Sequence, residues 1–165
     1  DSLMQKDSFK IEKFPALTDF PTLKVKRSKK LRVCIATEEI YGPVRNGGIA
    51  STYFYLAKML ANEGHDVTVL FLKGERSESH TFDYWVEFYS ELGGSLVALP
   101  ILSKMQGLSF WQARHASAYD WLKNQLVPFD VIHASEWRGG TYYALLAKKQ
   151  GLAFLDTLFL SLIHI

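Results

Sequence analysis

The chain has 165 residues, 48% hydrophobic and 22% charged, which is the size and balance of one ordinary globular domain and excludes a disordered, collagen-like or coiled-coil chain. Its net charge of +2 is unevenly held: residues 1–30 carry eight Lys/Arg against four Asp/Glu, and residues 31–165 carry eleven against thirteen. No run reaches the roughly 18 apolar residues of a membrane span, the opening DSLMQKDSF lacks the apolar core of a signal peptide, and the single cysteine, Cys34, excludes an intrachain disulfide and a cysteine-based zinc cluster.

Residues 1–30 mix charge with Pro15 and Pro21 and show no sustained period, so they read as a linker or extended basic arm. A solvated linker is preferred there to a nucleic-acid or membrane arm, so no nucleic-acid partner and no integral membrane segment are expected. From Leu31 short apolar runs alternate with amphipathic segments, the signature of βαβ units and a parallel sheet. The first strand is expected at 31–37, followed by a loop over 38–48 with Pro43, Gly47 and Gly48. Ile49, Thr52, Tyr53, Leu56 and Leu60 predict a helix ending at Gly64, and Asp66–Leu72 predicts the second strand. Phe82, Trp85, Val86, Tyr89 and Leu92 predict a helix closed by Gly93-Gly94, before a third strand over 95–99.

Ser109 with Gln112 three residues on forms a capping box, opening a helix expected to bury Phe110, Ala113, Ser117, Trp121 and Leu122. A fourth strand is expected at Asp130–Ala134, a helix over 139–150, and a fifth strand from Phe154. The fold class is therefore α/β, a Rossmann-like, doubly wound, mainly parallel sheet that breaks off after about five strands. Residues 31–159 form the domain. Leu160–Ile165 (LSLIHI) reads as a non-native tail, and the chain as a fragment of a longer protein.

Open parallel sheets bind ligands outside the carboxyl ends of their strands, which directs attention to the loops after strands one and four. In the first, Gly47-Gly48 at a helix start admits close approach of a ligand, the free N–H groups favour an anion, and Arg45 adds a forked cation. The same glycines could simply shape a turn. The loop lacks G-x-G-x-x-G and, with Gly48-Ile49 in place of Lys and Ser/Thr, is no P-loop. In the second, His133, Glu136, Trp137 and Arg138 could hydrogen-bond and stack on a sugar or base, or could serve packing and capping. His65 reads as a helix-end cap, and His80 and His115 as loop and helix-surface residues. Metal-ligand spacing and G-x-S-x-G are both missing.

Glu39, Pro43, Arg45, Gly47-Gly48, the helix from Ile49-Ala50 and then Gly64-His65-Asp66-Val67-Thr68-Val69 together resemble the N-terminal domain of GT-B glycosyltransferases, particularly the starch and glycogen synthase catalytic domain and its family 4 and family 5 relatives. The synthase loop reads approximately E...P..K-T-G-G-L. Here Glu39 and Arg45 keep the gap between acid and cation, with Arg-Asn-Gly-Gly-Ile replacing Lys-Thr-Gly-Gly-Leu. The resemblance implies that Gly47 and Gly48 approach the donor diphosphate and transferred sugar and that Arg45 takes the lysine's place near the phosphates. His133, Glu136 and Trp137 match the family's H-x-H-D-W after strand four, which Ser135 breaks, and with Glu39 would belong to the acceptor side of the cleft.

The implied activity is hexosyl transfer from a nucleotide-sugar substrate to a glycan or other acceptor, with no cofactor and no metal. The implied partner is a second, C-terminal Rossmann-like domain holding most donor contacts, so this chain alone is expected to be inactive. Its catalytic residues are not assignable from these motifs. A cytoplasmic location follows from the lone cysteine and the missing signal. The competing reading is a non-catalytic flavodoxin-like binding or signalling module.

Overall fold

The computed structural model describes residues 29–44, 47–100, 107–135 and 137–162. Residues 1–28 of the arm expected over 1–30, Arg45, Glu136 and residues 163–165 of the expected tail lie outside the described residues. In chain order the elements are β1 (Arg32–Thr37), α1 (Gly48–Asn62), β2 (Asp66–Phe71), α2 (Phe82–Glu91), β3 (Ser95–Ala98), α3 (Phe110–Lys123), β4 (Val131–Ser135), a single 3-10 turn (Trp137–Gly139), α4 (Tyr142–Lys149) and β5 (Leu158–Leu162).

The strands form one parallel sheet in the order β3-β2-β1-β4-β5. Successive crossovers run outward from β1 through β2 to β3, and the chain then returns to the other side of β1 as β4. The order reverses between β1 and β4, so their carboxyl ends diverge and leave a crevice, the usual ligand site of a doubly wound sheet.

Each face carries its own core, which is why the strands read as nearly continuous apolar runs. On one face Ile35, Val67, Val69, Phe71 and Leu96 pack with Tyr53 and Ala57 of α1 and Trp85 and Tyr89 of α2. On the other, Cys34, Ala36, Leu70 and Ile132 pack with Ala118 and Leu122 of α3 and Ala144 of α4. Ile35, Leu70 and Phe71 are wholly removed from water, and side chains of this size contribute about 1.5–3 kcal/mol each when buried. Burial also pushes the Cys34 thiol well above its ordinary range, leaving it an apolar packing group.

Three expectations are corrected. The helix expected over 139–150 starts at Tyr142, because Arg138 and Gly139 have φ of 62° and 60°, outside any right-handed helix. The strand expected from Phe154 starts at Leu158: Phe154 sits at φ 59° in a turn whose carbonyls, Phe154 O and Leu155 O, accept hydrogen bonds from Lys148 Nζ at 2.9 and 3.0 Å. That strand runs on through Leu162. On α3 the buried residues are Arg114, Ser117, Ala118 and Leu122, while Phe110 is 63% exposed. The capping box itself is present in both directions.

Candidate functional site

The chain leaving β1 turns at once. Thr37 Oγ1 donates to Glu39 O at 2.9 Å and accepts from Glu39 N at 3.1 Å, and this small loop turns Glu38 inward to 3% exposure. An isolated buried carboxylate is costly. Glu38 is matched by Arg114 of α3, whose Nη1 lies 2.7 Å from Oε1, and by Arg138 after β4, whose Nη1 lies 3.5 Å from Oε2. One carboxylate thus joins the carboxyl ends of β1 and β4 to α3.

Arg114 is itself 5% exposed, and its guanidinium lies 4.3 Å from the Phe110 ring centre and 5.1 Å from that of Trp111. Arg138 stays near the surface, with its guanidinium 4.6 Å from the Trp111 ring and 5.6 Å from the Trp137 ring. Both indoles keep substantial exposure, 39% for Trp111 and 52% for Trp137. His115, the next residue on α3, has its pKa lowered by burial; Glu38 and a hydrogen bond with the Arg138 backbone oppose that shift, and Arg114 adds to it. It is half-buried beneath this cluster and is not the helix-surface residue expected.

The rest of the loop after β1 is pinned by aromatic packing. Tyr89 donates its hydroxyl to Tyr41 O at 2.8 Å, and Tyr41, Phe54, Trp85 and Phe88 are in ring contact. Gly42 has φ 119°, and a Cβ there would fall 2.5 Å from the Trp85 ring. Gly47 and Gly48 differ: neither has positive φ, and no described atom lies within 4 Å of where their Cβ atoms would stand. Gly47 is the N-cap of α1 and supplies no side-chain cap, so the first-turn N–H groups receive no side-chain acceptor from it.

The other sequence candidates separate. Glu39 is partly exposed and holds the turn through its backbone. Trp137 N donates to Ser135 Oγ at 3.3 Å, which places its indole beside Arg138. His133 pairs in register with Ile35 and so shares the α1 face, where its ring meets Tyr53 edge-on at 5.9 Å. Its Nδ1 is buried with no hydrogen-bond partner among the described residues, and burial lowers its pKa. His65 accepts from Leu31 N at 3.2 Å instead of capping carbonyls, tying the entry of β1 to the end of α1.

A match to the family model described as Glycosyltransferase Family 4 runs over residues 46–158, more than half of the chain. The chain belongs to glycosyltransferase family 4. Its sheet and four helices form the Rossmann-like α/β unit of a GT-B N-terminal half. Among solved structures, the C-terminal domain of a hydrogenase from Pyrococcus furiosus is similar to this chain at 15% identity and a TM-score of 0.51, covering 82% of this chain and 94% of that one. That likeness concerns the fold. No curated protein sequence matches the chain.

In this family 4 chain a cavity of about 560 Å³ opens beside the pinned loop, lined by Tyr41, Gly42, Val44, Ser51, Glu78, Ser79 and Trp85. Ser51 belongs to the first turn of α1, so this space adjoins the uncapped helix start. A similar cavity of about 580 Å³, bounded by Phe129, Asp130 and residues 152–157, lies at the amino ends of β4 and β5, away from the crevice. Among the described residues no three His, Cys, Asp or Glu side chains are grouped to hold a metal ion, and no helix is long and apolar enough to cross a membrane.

Sequence reasoning missed Glu38, Arg114, Trp111 and His115. Their usable signal was slight: an acid directly after β1, and Trp111 and Arg114 three apart on one helix face. Nothing local shows that Glu38 and not Glu39 turns inward.

Proposed function

We propose that this chain is the acceptor-side half of a retaining glycosyltransferase that moves a hexosyl unit from a nucleotide-sugar to a glycan or small-molecule acceptor, with the starch and glycogen synthases as its nearest functional type. The observation that carries the reading is the open start of α1: Gly47 and Gly48 have no backbone strain and no described packing partner that calls for glycine. A diphosphate approaching the first-turn N–H groups supplies such a reason, since the helix end favours negative charge and a side chain would stand in its path.

In this reading Arg45 faces the phosphates, and Gly47 and Gly48 flank the diphosphate and the transferred sugar. Glu39, His133, Glu136 and Trp137 line the acceptor side. Fixed N–H dipoles and the Arg45 cation stabilise the charge that gathers on the diphosphate as its bond to the sugar breaks, without a metal ion. A second Rossmann-like domain supplies the remaining donor wall, and this chain alone does not turn over. A flavodoxin-like binding module accounts for the sheet but gives the open glycine pair no role.

The test joins the chain to its C-terminal partner domain and measures transfer from UDP- and ADP-hexoses. Gly48→Val should abolish transfer while the unfolding midpoint stays put, and Arg45→Ala should reduce kcat/KM by an amount worth about 2–4 kcal/mol. Transfer by the isolated chain, or near-normal transfer by both variants, overturns the reading.

A further inference from the structure

We propose that the cavity at the amino ends of β4 and β5 is a docking site for this chain's own N-terminal arm, which enters it through the paired segments Phe14-Pro15-Ala16-Leu17 and Phe20-Pro21-Thr22-Leu23. The proposal is independent of the transferase reading. The cavity has a volume of about 580 Å³, within the range of sites that take a compact apolar group. Its lining runs from Phe129 and Ile132, both buried, to Leu152 and Leu155, which are 70% and 66% exposed. A single exposed leucine is ordinary on a surface. Two of them beside an apolar cavity form the kind of patch that marks an interaction site.

The path of the chain selects the occupant. Arg32 N donates to Asp130 Oδ2 at 2.8 Å, and Lys29 Nζ lies 3.3 Å from Asp130 Oδ1. Asp130 lines the cavity, so the arm joins the domain at the cavity's rim. Only residues 24–28 separate Lys29 from the second F-P-x-L segment, and a stretch of that length spans at most about 17 Å. A segment tethered so closely is present at an effective concentration in the millimolar range. A shallow apolar site can therefore capture it, where a free partner would need a larger contact.

The arm has the chemistry such a site takes. No period runs through residues 1–30, but F-P-A-L and F-P-T-L recur six residues apart. Each proline fixes its own φ and restricts the phenylalanine before it to extended backbone, so less conformational freedom is lost on docking. In an extended polyproline-type segment, with three residues to a turn, Phe and Leu three apart lie on one side. Segments of this type dock in grooves with aromatic walls, and Phe129 and Phe154 supply those rings.

The experiment places a nitroxide on Ala16→Cys in the full chain. Position 16 is the variable one of the F-P-x-L segment, and Cys34 is wholly buried and does not take the label. Amide signals of residues 152–157 should weaken at least about twofold relative to the reduced label, while those of α2 and of the turn after β4 do not. Phe14→Ser/Phe20→Ser should remove the effect. Leu152→Ser/Leu155→Ser should remove it from the cavity side; both leucines lie outside the two cores, and the unfolding midpoint verifies that the fold is kept.

An effect that survives either pair of substitutions is tethering without docking and overturns the proposal, as does no effect or an effect at another surface. Mixing the labelled chain with isotope-enriched, unlabelled chain identifies the donor of the arm. Weakening confined to labelled molecules supports docking within one chain. Weakening in the unlabelled molecules assigns the cavity to the arm of a second copy and overturns the proposal.

Discussion

Arg114 Nη1 stands 2.7 Å from Glu38 Oε1, with 7% and 3% of the two side chains exposed, across 76 residues of sequence. The contact is an ion pair in distance but not an aligned hydrogen bond, since neither atom completes one. A buried pair of this kind adds little over an apolar pair, but each member is expensive without the other.

Removing one partner should therefore show the asymmetry. Arg114→Met should cost about 3–5 kcal/mol, because Glu38 is left buried with only the distant Arg138. The double variant Glu38→Gln/Arg114→Met should cost clearly less than the two single losses added together. Urea unfolding of the three variants checks this; additive losses would mean the pair is not coupled.

The glycines of the first loop should respond in opposite senses. Gly42→Ala meets both φ 119° and the Trp85 ring, and should lose about 2–4 kcal/mol. Gly48→Ala begins a helix in open space, and should change stability by no more than about 1 kcal/mol, towards the stable side. Thermal unfolding of both variants reads the contrast directly.

His133 predicts an acid sensitivity. Burial holds its folded pKa below the ordinary histidine value, so as pH falls from 7.5 the unfolded chain takes up a proton near pH 6.5 before the folded chain does. Stability is thus fully present above that range and is lost on acidification towards pH 5.5. His133→Gln should flatten the fall in unfolding midpoint between those two pH values, and an unchanged slope would assign the sensitivity elsewhere.

The capping box gives a local test. Ser109 Oγ accepts from Gln112 N at 3.3 Å while Gln112 Oε1 accepts from Ser109 N at 3.1 Å. Ser109→Ala should cost about 1 kcal/mol, and because α3 carries Arg114, the same change should lower protection of the α3 amides in hydrogen exchange.

Strands and helix ends were legible where one local rule settles them. Leu31–Thr37 and Asp66–Leu72 are apolar runs too short for helices, and Ser109 with Gln112 announces α3. The errors fall where the deciding partner is distant. Phe154 looks like a strand residue, yet Lys148 holds its carbonyl in a turn and its ring packs on Tyr119 and Phe159. Gly139 reads as the start of a helix, yet it follows Arg138 with φ of 60° and 62° at the two positions, outside one. Arg114 breaks an expected apolar stripe because its counter-charge arrives from β1. The loops after β1 and β4 could be nominated from the carboxyl-end rule, but not the carboxylate that joins them.

The central position of β1 has a consequence for synthesis. Its β2 neighbour follows 34 residues later, but the Asp130 carboxylate that accepts from Arg32 N at 2.8 Å, at the entry of β4, follows 98 residues later. A growing chain can therefore zip β1, β2 and β3 together while the other edge of β1, the wholly apolar Val33–Ala36, still waits for its partner to leave the ribosome. Unpaired apolar edges of this kind invite strand addition from other chains. Nascent chains stalled between β3 and β4 should be the species that chaperones hold longest, and release should coincide with the emergence of Val131–Ser135.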